Sequence, residues 1–531
     1  MGRVFGKFSL NLRKLTEIRM LRRIRIILAA IFIVCITMLF LDLSGFFHTW
    51  FGWMARIQFL PALFALNVGV VALLVALTLV LGRVYCSVIC PLGVMQDCIS
   101  WMSGRRKKKK YRFSYSPAKN WWRYTVLGLF IIAMIAGVGS FVALLAPYSS
   151  YGRIVWNLLG PVYDAGNNLL AKIAEHFNSY AFYEKEVWIR SIPTFIIAAV
   201  TFVALFILAW RNGRTYCNTI CPVGTILGVL SRFSLLGIRI NKDKCVECGL
   251  CSRKCKASCI DGKNRKVDYS RCVACMDCID TCTHNAITYG MRWGKKVTFP
   301  DDGGKKDEKK QESGANEKTE KIDESRRAVL TAGTIVAASA LVNAQAKKVD
   351  GGLAEIVDKK VPKRKTPIVP PGAVSLKHFS QHCTACQLCV SNCPNNVLRP
   401  SGNVMTLMQP ESSYERGYCR PECTRCSHVC PTGAILPITR GEKTAIQIGH
   451  AVWIADNCIP LTDGVECGNC ARHCPAGAII MVPSKKDDPT SVKVPVVNTA
   501  RCIGCGACEN LCPARPFSAI YVEGYSVHHD I

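Results

Sequence analysis

The chain has 531 residues, half of them hydrophobic, with 31 cysteines and a formal charge of +30; that length and thiol content point to several domains. The cysteines recur at one repeated spacing, which excludes a secreted disulfide scaffold, and they run in threes with a fourth, which paired zinc knuckles do not. The positive charge lies beside apolar runs, which excludes nucleic acid as the partner and favours a membrane surface.

The first 25 residues carry Arg3, Lys7, Arg13, Lys14, Arg19, Arg22, Arg23 and Arg25 against Glu17 alone. Residues 104–123 add Arg105, Arg106, Lys107 to Lys110, Arg112, Lys119 and Arg123 with no acid. Four apolar runs, roughly 26–43, 64–81, 124–146 and 193–210, approach the length of about 20 residues that a bilayer-crossing helix needs. Trp50, Trp53, Trp121, Trp122, Trp188 and Trp210 stand at their ends, as interfacial aromatics do. The positive-inside rule puts the N-terminus, the 83–123 loop and the chain after Trp210 in the cytoplasm. Residues 1–235 are therefore expected to form a four-helix, all-α membrane bundle.

A twelve-residue motif closes the second and fourth runs. Gly82-Arg83-Val84-Tyr85-Cys86-Ser87-Val88-Ile89-Cys90-Pro91-Leu92-Gly93 returns as Gly213-Arg214-Thr215-Tyr216-Cys217-Asn218-Thr219-Ile220-Cys221-Pro222-Val223-Gly224. Such a repeat suggests two helix pairs related by a pseudo-two-fold. Cysteines at i and i+4 share a helix face, so Cys86, Cys90, Cys217 and Cys221 form a possible further metal site. They would hold either an iron–sulfur centre or a single ion, and the alternative is two packed thiol pairs.

Residues 236–292 carry Cys245-x2-Cys248-x2-Cys251-x3-Cys255 and Cys272-x2-Cys275-x2-Cys278-x3-Cys282. This spacing holds [4Fe–4S] clusters, with the fourth cysteine crossing to the neighbouring one. Three thiolates on a tight loop cap three corners of a cube, and the chain cannot bend back sharply enough to supply the fourth. Cys282 is thus expected to join Cys245, Cys248 and Cys251, and Cys255 to join Cys272, Cys275 and Cys278, with Cys259 as a rival to Cys255. The domain is read as a cytoplasmic two-cluster unit.

Residues 293–324 read as a flexible charged linker. Ser325-Arg326-Arg327 and the apolar stretch ending Ala344-Gln345-Ala346 (residues 325–346) read as an internal twin-arginine-like export signal or a fifth helix. Residues 347–531 hold four further runs. They are Cys383/Cys386/Cys389/Cys393, Cys419/Cys423/Cys426/Cys430, Cys458/Cys467/Cys470/Cys474 and Cys502/Cys505/Cys508/Cys512, each followed by proline. They give a periplasmic four-cluster domain and a total of six [4Fe–4S] clusters, two cytoplasmic and four periplasmic. The two cluster-bearing domains are expected to have α+β ferredoxin-like folds.

Residues 1–290, with two C-x3-C-P motifs and a two-cluster tail, resemble the NapH/MauN family. Residues 325–531, including Cys458-x8-Cys467 and Ile448-Gly449-His450-Ala451-Val452, resemble the NapG/MauM family of exported four-cluster ferredoxins. The resemblance implies that two normally separate subunits are fused in one multi-pass protein of the bacterial inner membrane. It also implies a quinol dehydrogenase module feeding a periplasmic reductase of the nitrate-reductase kind, or a cytochrome acceptor. A trans-membrane conduit between the two cluster domains and a redox-sensing assembly or regulatory protein are the alternatives. By resemblance to other four-cluster subunits, the first motif is expected to pair with the fourth and the second with the third, with neighbour pairing as the alternative.

Quinol oxidation releases protons, so its site needs a polar acceptor near the interface. The catalytic group itself is not identified by sequence. His48, Arg56, Tyr148, Tyr151, Arg153, Asp164, His176, Glu184 and Glu186 are candidates on the exported side, against the reading that they are interfacial loop residues. Arg83, Tyr85, Arg214 and Tyr216 are the cytoplasmic alternatives. His382, His428 and His473 are expected beside the clusters without ligating them, and His528 and His529 as a loose tail.

Overall fold

A computed structural model describes residues 2–42, 45–105, 113–179, 182–185, 187–293, 357–485 and 487–531, with side chains from Met20 onward. The expected linker, apart from Trp293, and the twin-arginine-like segment lie outside the described residues, as do Lys107 to Lys110 and Glu186.

Regular structure before Leu236 is helical throughout the described residues. Met20–Leu41 and Ile192–Asn212 are long and apolar enough to cross a bilayer, and only 28% and 22% of their most apolar windows is buried. A core helix of a soluble protein would be mostly buried. These two instead expose Ile27, Ile31 and Val34, and Ile196, Val200 and Val203, an apolar surface that suits lipid.

The second and third apolar runs are interrupted, unlike the expectation of four full spans. Leu66 adopts a left-handed φ of 52° and Asn67 caps a new helix by accepting from the Val70 N–H, which separates Phe59–Phe64 from Val68–Leu81. Gly137, at φ 73°, separates Asn120–Ile135 from Gly139–Leu145. Val68–Leu81 and Asn120–Ile135 reach roughly 21 and 24 Å, short of the ~30 Å hydrocarbon layer.

Beyond Leu236 the chain becomes cysteine-rich loops held by antiparallel strand pairs. Leu236–Ile240 pairs with Ile287–Met291, Ile238 opposite Tyr289, and brackets Cys245 to Cys282. Ile446–Trp453 pairs with Ile520–Asp530, Ala451 opposite Val522, and brackets Cys458 to Cys512. A hairpin of Ile479–Lys485 and Asp488–Val497 stands between those motifs, and a shorter one, Leu398–Pro400 with Pro410–Ser412, stands between the first two. The cores around these motifs join cysteines to aliphatic side chains such as Ile448, Ile520, Ile260 and Val390. His528 and His529 belong to the last strand and are not a loose tail. The His528 N–H donates to the Val374 carbonyl, and burial pushes its ring down to about 4.

The helix Gly2–Leu41 links the two cysteine-rich regions. Arg22 pairs with Asp277 and Asp280 at 2.9 and 2.7 Å, while the Leu39 carbonyl accepts from Asn392 at 3.4 Å. Roughly 26 Å of helix lies between these contacts, so the regions pack toward opposite ends of its apolar segment Met20–Leu41.

Candidate metal centres

Each set of four thiols is drawn from two motifs. Burial holds Cys251 up at about 11, with Cys245, Cys248 and Cys282 adding to the effect. Cys278 is raised by burial and then by Cys275, Cys255 and Cys272. Cys282 thus lies within the influence of the Cys245 triplet, and Cys255 within that of the Cys272 triplet. Cys259 is a fifth buried thiol against the second set, its Sγ 3.5 Å from that of Cys255.

In the C-terminal region, neighbouring motifs pair, in place of the expected first-with-fourth and second-with-third arrangement. Cys389 is raised by burial, then by Cys386, Cys383 and Cys430 and least by Cys426, and Cys426 by burial, then by Cys419, Cys393 and Cys423. Cys470 senses Cys467, Cys512 and Cys458, and Cys508 senses Cys505, Cys502 and Cys474. The physical reason is local: each pair of motifs is joined by its own hairpin, so the crossover closes a short loop.

Three of these sets line cavities whose other walls are mostly apolar, with Asn469 in the second and Asn395, Ser412 and Arg425 in the third. Cys474, Cys502, Cys505 and Cys508 line one, Cys458, Cys467, Cys470 and Cys512 a second, and Cys393, Cys419, Cys423 and Cys426 a third. Among the described residues, no three Cys, His, Asp or Glu side chains stand close enough to hold a single metal ion. A lone zinc or iron needs donors about 2.0–2.3 Å away, whereas a cubane spaces its thiolates more widely, so the sets fit [4Fe–4S] clusters. Burial pushes Cys386 and Cys505 up to about 12, and such thiols lose their protons at neutral pH only to a metal. Backbone N–H groups of Ala286, Ala478 and Ala519 donate to the sulfurs of Cys282, Cys474 and Cys512 at 3.3 Å, contacts that tune cluster potential.

The sets adjoin one another in series. The motif at Cys383 serves the first two sets, and the Cys419 N–H donates to the Cys505 carbonyl at 2.9 Å. Tyr414, fully buried at this junction, donates its hydroxyl to the Gly504 carbonyl at 2.8 Å. The order is thus the Cys383, Cys419, Cys502 and Cys458 sets. The Cys383 set abuts the helices: Cys386 belongs to the helical core, and Arg153 donates to the Ala385 carbonyl at 3.3 Å.

The two copies of the repeat meet in the same core. Cys221 lies within the influence of Cys217, Cys90 and Cys86, and all four thiols are buried. Arg83 reaches across to the Cys217 carbonyl at 3.3 Å, and Arg214 to the Cys86 carbonyl at 2.7 Å. A Cβ on Gly93 would lie 2.7 Å from the Arg214 guanidinium, and one on Gly224 would lie 3.0 Å from that of Arg83. Each glycine of the repeat therefore makes room for the other copy's arginine. Arg83 is fully buried; its acceptors are Asn218, the Ser270 and Cys217 carbonyls and the Cys86 sulfur, with no carboxylate among them. A buried cation without an anion is unfavourable, and a negatively charged centre on these thiols would balance it.

Tyr85 and Tyr216 also pack in this core, so none of the four cytoplasmic quinol candidates lies open. Asp97 ties the repeat to the two-cluster region, pairing with Arg214 at 2.7 Å, Lys256 at 3.1 Å and Arg25 at 3.3 Å. Burial alone would raise its carboxyl, but Arg214 and Lys256 hold it down at about 2.

The other polar candidates scatter. His48 Nε2 lies 2.9 Å from the Leu39 carbonyl, Arg56 donates to the His428 carbonyl, Tyr151 bonds Thr37, and Tyr148 is buried beside Cys386. His176 is exposed, and Glu184 makes an exposed pair with Lys172 at 3.7 Å. Asp164 alone among them lines a cavity of about 280 Å³, shared with Trp156, Trp188, Arg190 and Cys393. Sequence reasoning missed Arg190, which donates to Asn396 at 2.7 Å and packs 4.9 Å over the Trp156 ring. It also missed Asn157, which donates to Gln387 at 2.9 Å. His382 stacks on His378 at 4.3 Å, and His428 and His473 are exposed.

A family model described as a 4Fe-4S binding domain matches residues 62–110 and 193–242, covering both copies of the repeat. One described as a 4Fe-4S dicluster domain matches residues 465–515. YccM of Escherichia coli (strain K12) is 24% identical over 237 residues, 44% of this chain and 58% of its own length. The ferredoxin-type protein NapH of the same strain is 26% identical over 245 residues, 44% of this chain and 70% of NapH. The ferredoxin-type protein NapF is 30% identical over 180 residues, 34% of this chain and 99% of NapF. The chain thus spans little more than half the length of YccM. No solved structure matches it.

Proposed function

The chain belongs to the family of ferredoxin-type proteins that includes NapF, and from that premise we propose that it oxidises membrane quinol and passes the electrons to a periplasmic reductase. In this reading a NapH-like membrane unit and a NapG/MauM-like four-cluster unit act as one inner-membrane chain, with the two-cluster region in the cytoplasm and residues 347–531 in the periplasm. Four membrane-embedded segments, two of them short, would form the bundle. Bound [4Fe–4S] clusters supply one-electron transfer. The protein's own residues hold six of them: Cys245/Cys248/Cys251/Cys282, Cys272/Cys275/Cys278/Cys255, and the four sets of the C-terminal region.

The observation that carries this reading is the series of four cysteine sets beginning against the helical core, where Arg153 and Asn392 fix its near end. A quinol oxidised at the membrane would have a path outward. Menadiol, a soluble quinol, added to the purified full chain should bleach the visible cluster absorbance. Unchanged absorbance, in protein that dithionite does bleach, would sink the quinol reading and leave the conduit and regulatory ones.

The conduit reading is favoured by one observation: Cys275, the four repeat thiols and Cys386 all pack in or against a single hydrophobic core. An iron–sulfur centre on Cys86, Cys90, Cys217 and Cys221 would then bridge the two cluster regions. Serine at Cys90 and Cys221 together should lower the iron content if that centre exists and leave it unchanged otherwise.

A further inference from the structure

We propose that the cavity between Trp156 and Trp188 binds the ring of a membrane quinol, and that Asp164 takes a hydrogen bond and then a proton from one of its hydroxyls. The proposal rests on the reading of quinol as electron source and adds the place where it is oxidised. At about 280 Å³, the cavity is close to the lower end of small-molecule sites, about 300 Å³, which suits a single ring with its tail outside. Its walls are aromatic, from Trp156, Trp188 and Phe195, with Asp164, Lys185 and Arg190 as the charged groups. The Arg190 guanidinium packs over both tryptophan rings, 4.9 and 5.8 Å from their centres, so the cavity joins aromatic side chains to a few convergent charged groups, as a quinol head requires.

Location agrees with chemistry. Phe195 lies in the first turn of Ile192–Asn212, one of the two helices able to cross a bilayer. Asp164 lies on Gly160–His176, which exposes Val162, Leu169, Leu170 and Ile173 at helical spacing, with Phe177 exposed at its C-terminal cap. A helix with such a stripe lies in the membrane surface, so the cavity sits at the depth where a lipid-soluble quinol travels. The opposite wall contains Cys393 and Pro394, and Cys393 belongs to the Cys419 set. Arg190 fixes that wall through Asn396 and the Val390 carbonyl.

The balance is complete. The quinol loses two electrons and two protons to become quinone. The electrons pass singly to the iron–sulfur cluster that Cys393 helps to hold, one proton goes to the Asp164 carboxylate and the other to water. Burial raises the Asp164 carboxyl, and Lys185 and Arg190, the charged groups facing it, oppose that rise.

The test uses the full chain with its clusters in place. An azidoquinone photolabel should mark peptides spanning Trp156–Asp164 or Tyr183–Phe195, and menadiol should compete it away. Asp164→Asn should keep the dithionite-induced cluster signal in electron paramagnetic resonance but slow reduction by menadiol at least tenfold. Trp188→Ala should weaken the labelling. Label confined to other segments, or an Asp164→Asn chain reduced at the wild-type rate, overturns the site while leaving quinol as donor. Failure of menadiol to reduce the wild-type chain overturns both. Labelling of the wild type decides the site even if a variant does not assemble.

Discussion

Gly224 has no side chain because Arg83 of the other repeat occupies the space, and a Cβ there would also meet the Cys217 carbonyl at 2.2 Å. Gly224→Ala should therefore destabilise the helical region by about 1–3 kcal/mol, the usual range for overpacking, read as a lower thermal midpoint in detergent. Asp97→Asn should cost about 3–5 kcal/mol, because it leaves buried Arg214 without its carboxylate partner, whereas Lys256 keeps Asp277 at 2.9 Å. Asp97 is depressed to about 2 when folded, against about 3.9 when unfolded. Its stabilisation is therefore fully present above about pH 4 and is lost as pH falls toward 2. The wild-type and Asn chains should differ by a constant amount from pH 5 to 8 and converge only in strong acid; a gap that opened or closed near neutrality would contradict this. At this scale the sequence showed that Gly, Arg, Tyr and Cys recur together, but not that each arginine serves the other copy. Asp164 stood among nine equivalent polar residues, since only the fold shows which of them shares a cavity with a cluster ligand.

Spacing within a motif makes the four-thiol sets legible, because loop geometry alone demands a crossover ligand. It says nothing about which motif supplies it when four are available, and the hairpins at 398–412 and 479–497 decide that in favour of neighbours. A double substitution checks the pairing. Cys383→Ser with Cys430→Ser should lose the iron of one cluster, about four atoms, no more than either change alone. Additive loss of about eight would restore the first-with-fourth pairing. The helices were legible as apolar runs, but the breaks at Leu66 and Gly137 were not. Positive φ at a leucine leaves no trace in hydropathy, and one glycine within a long apolar run is easily read through.

Across the whole molecule, the apolar helices, the two cysteine-rich regions and their separation along the chain were readable from composition and repeats. Which set lies nearest the helices, and the series from Cys386 outward to Cys458, required the fold, because it depends on contacts such as Arg153 with Ala385 and Cys419 with Cys505. Six cubanes on one chain, four of them adjoining in series from the helical core, is the claim on which the functional account stands. Iron and acid-labile sulfide in the anaerobically purified full chain measure it most directly. About 24 atoms of each per chain are predicted, four for each of six clusters, with a further few if the repeat thiols also hold a centre. Less than about half that content in folded protein, or cluster cysteines recovered as disulfides, would contradict it.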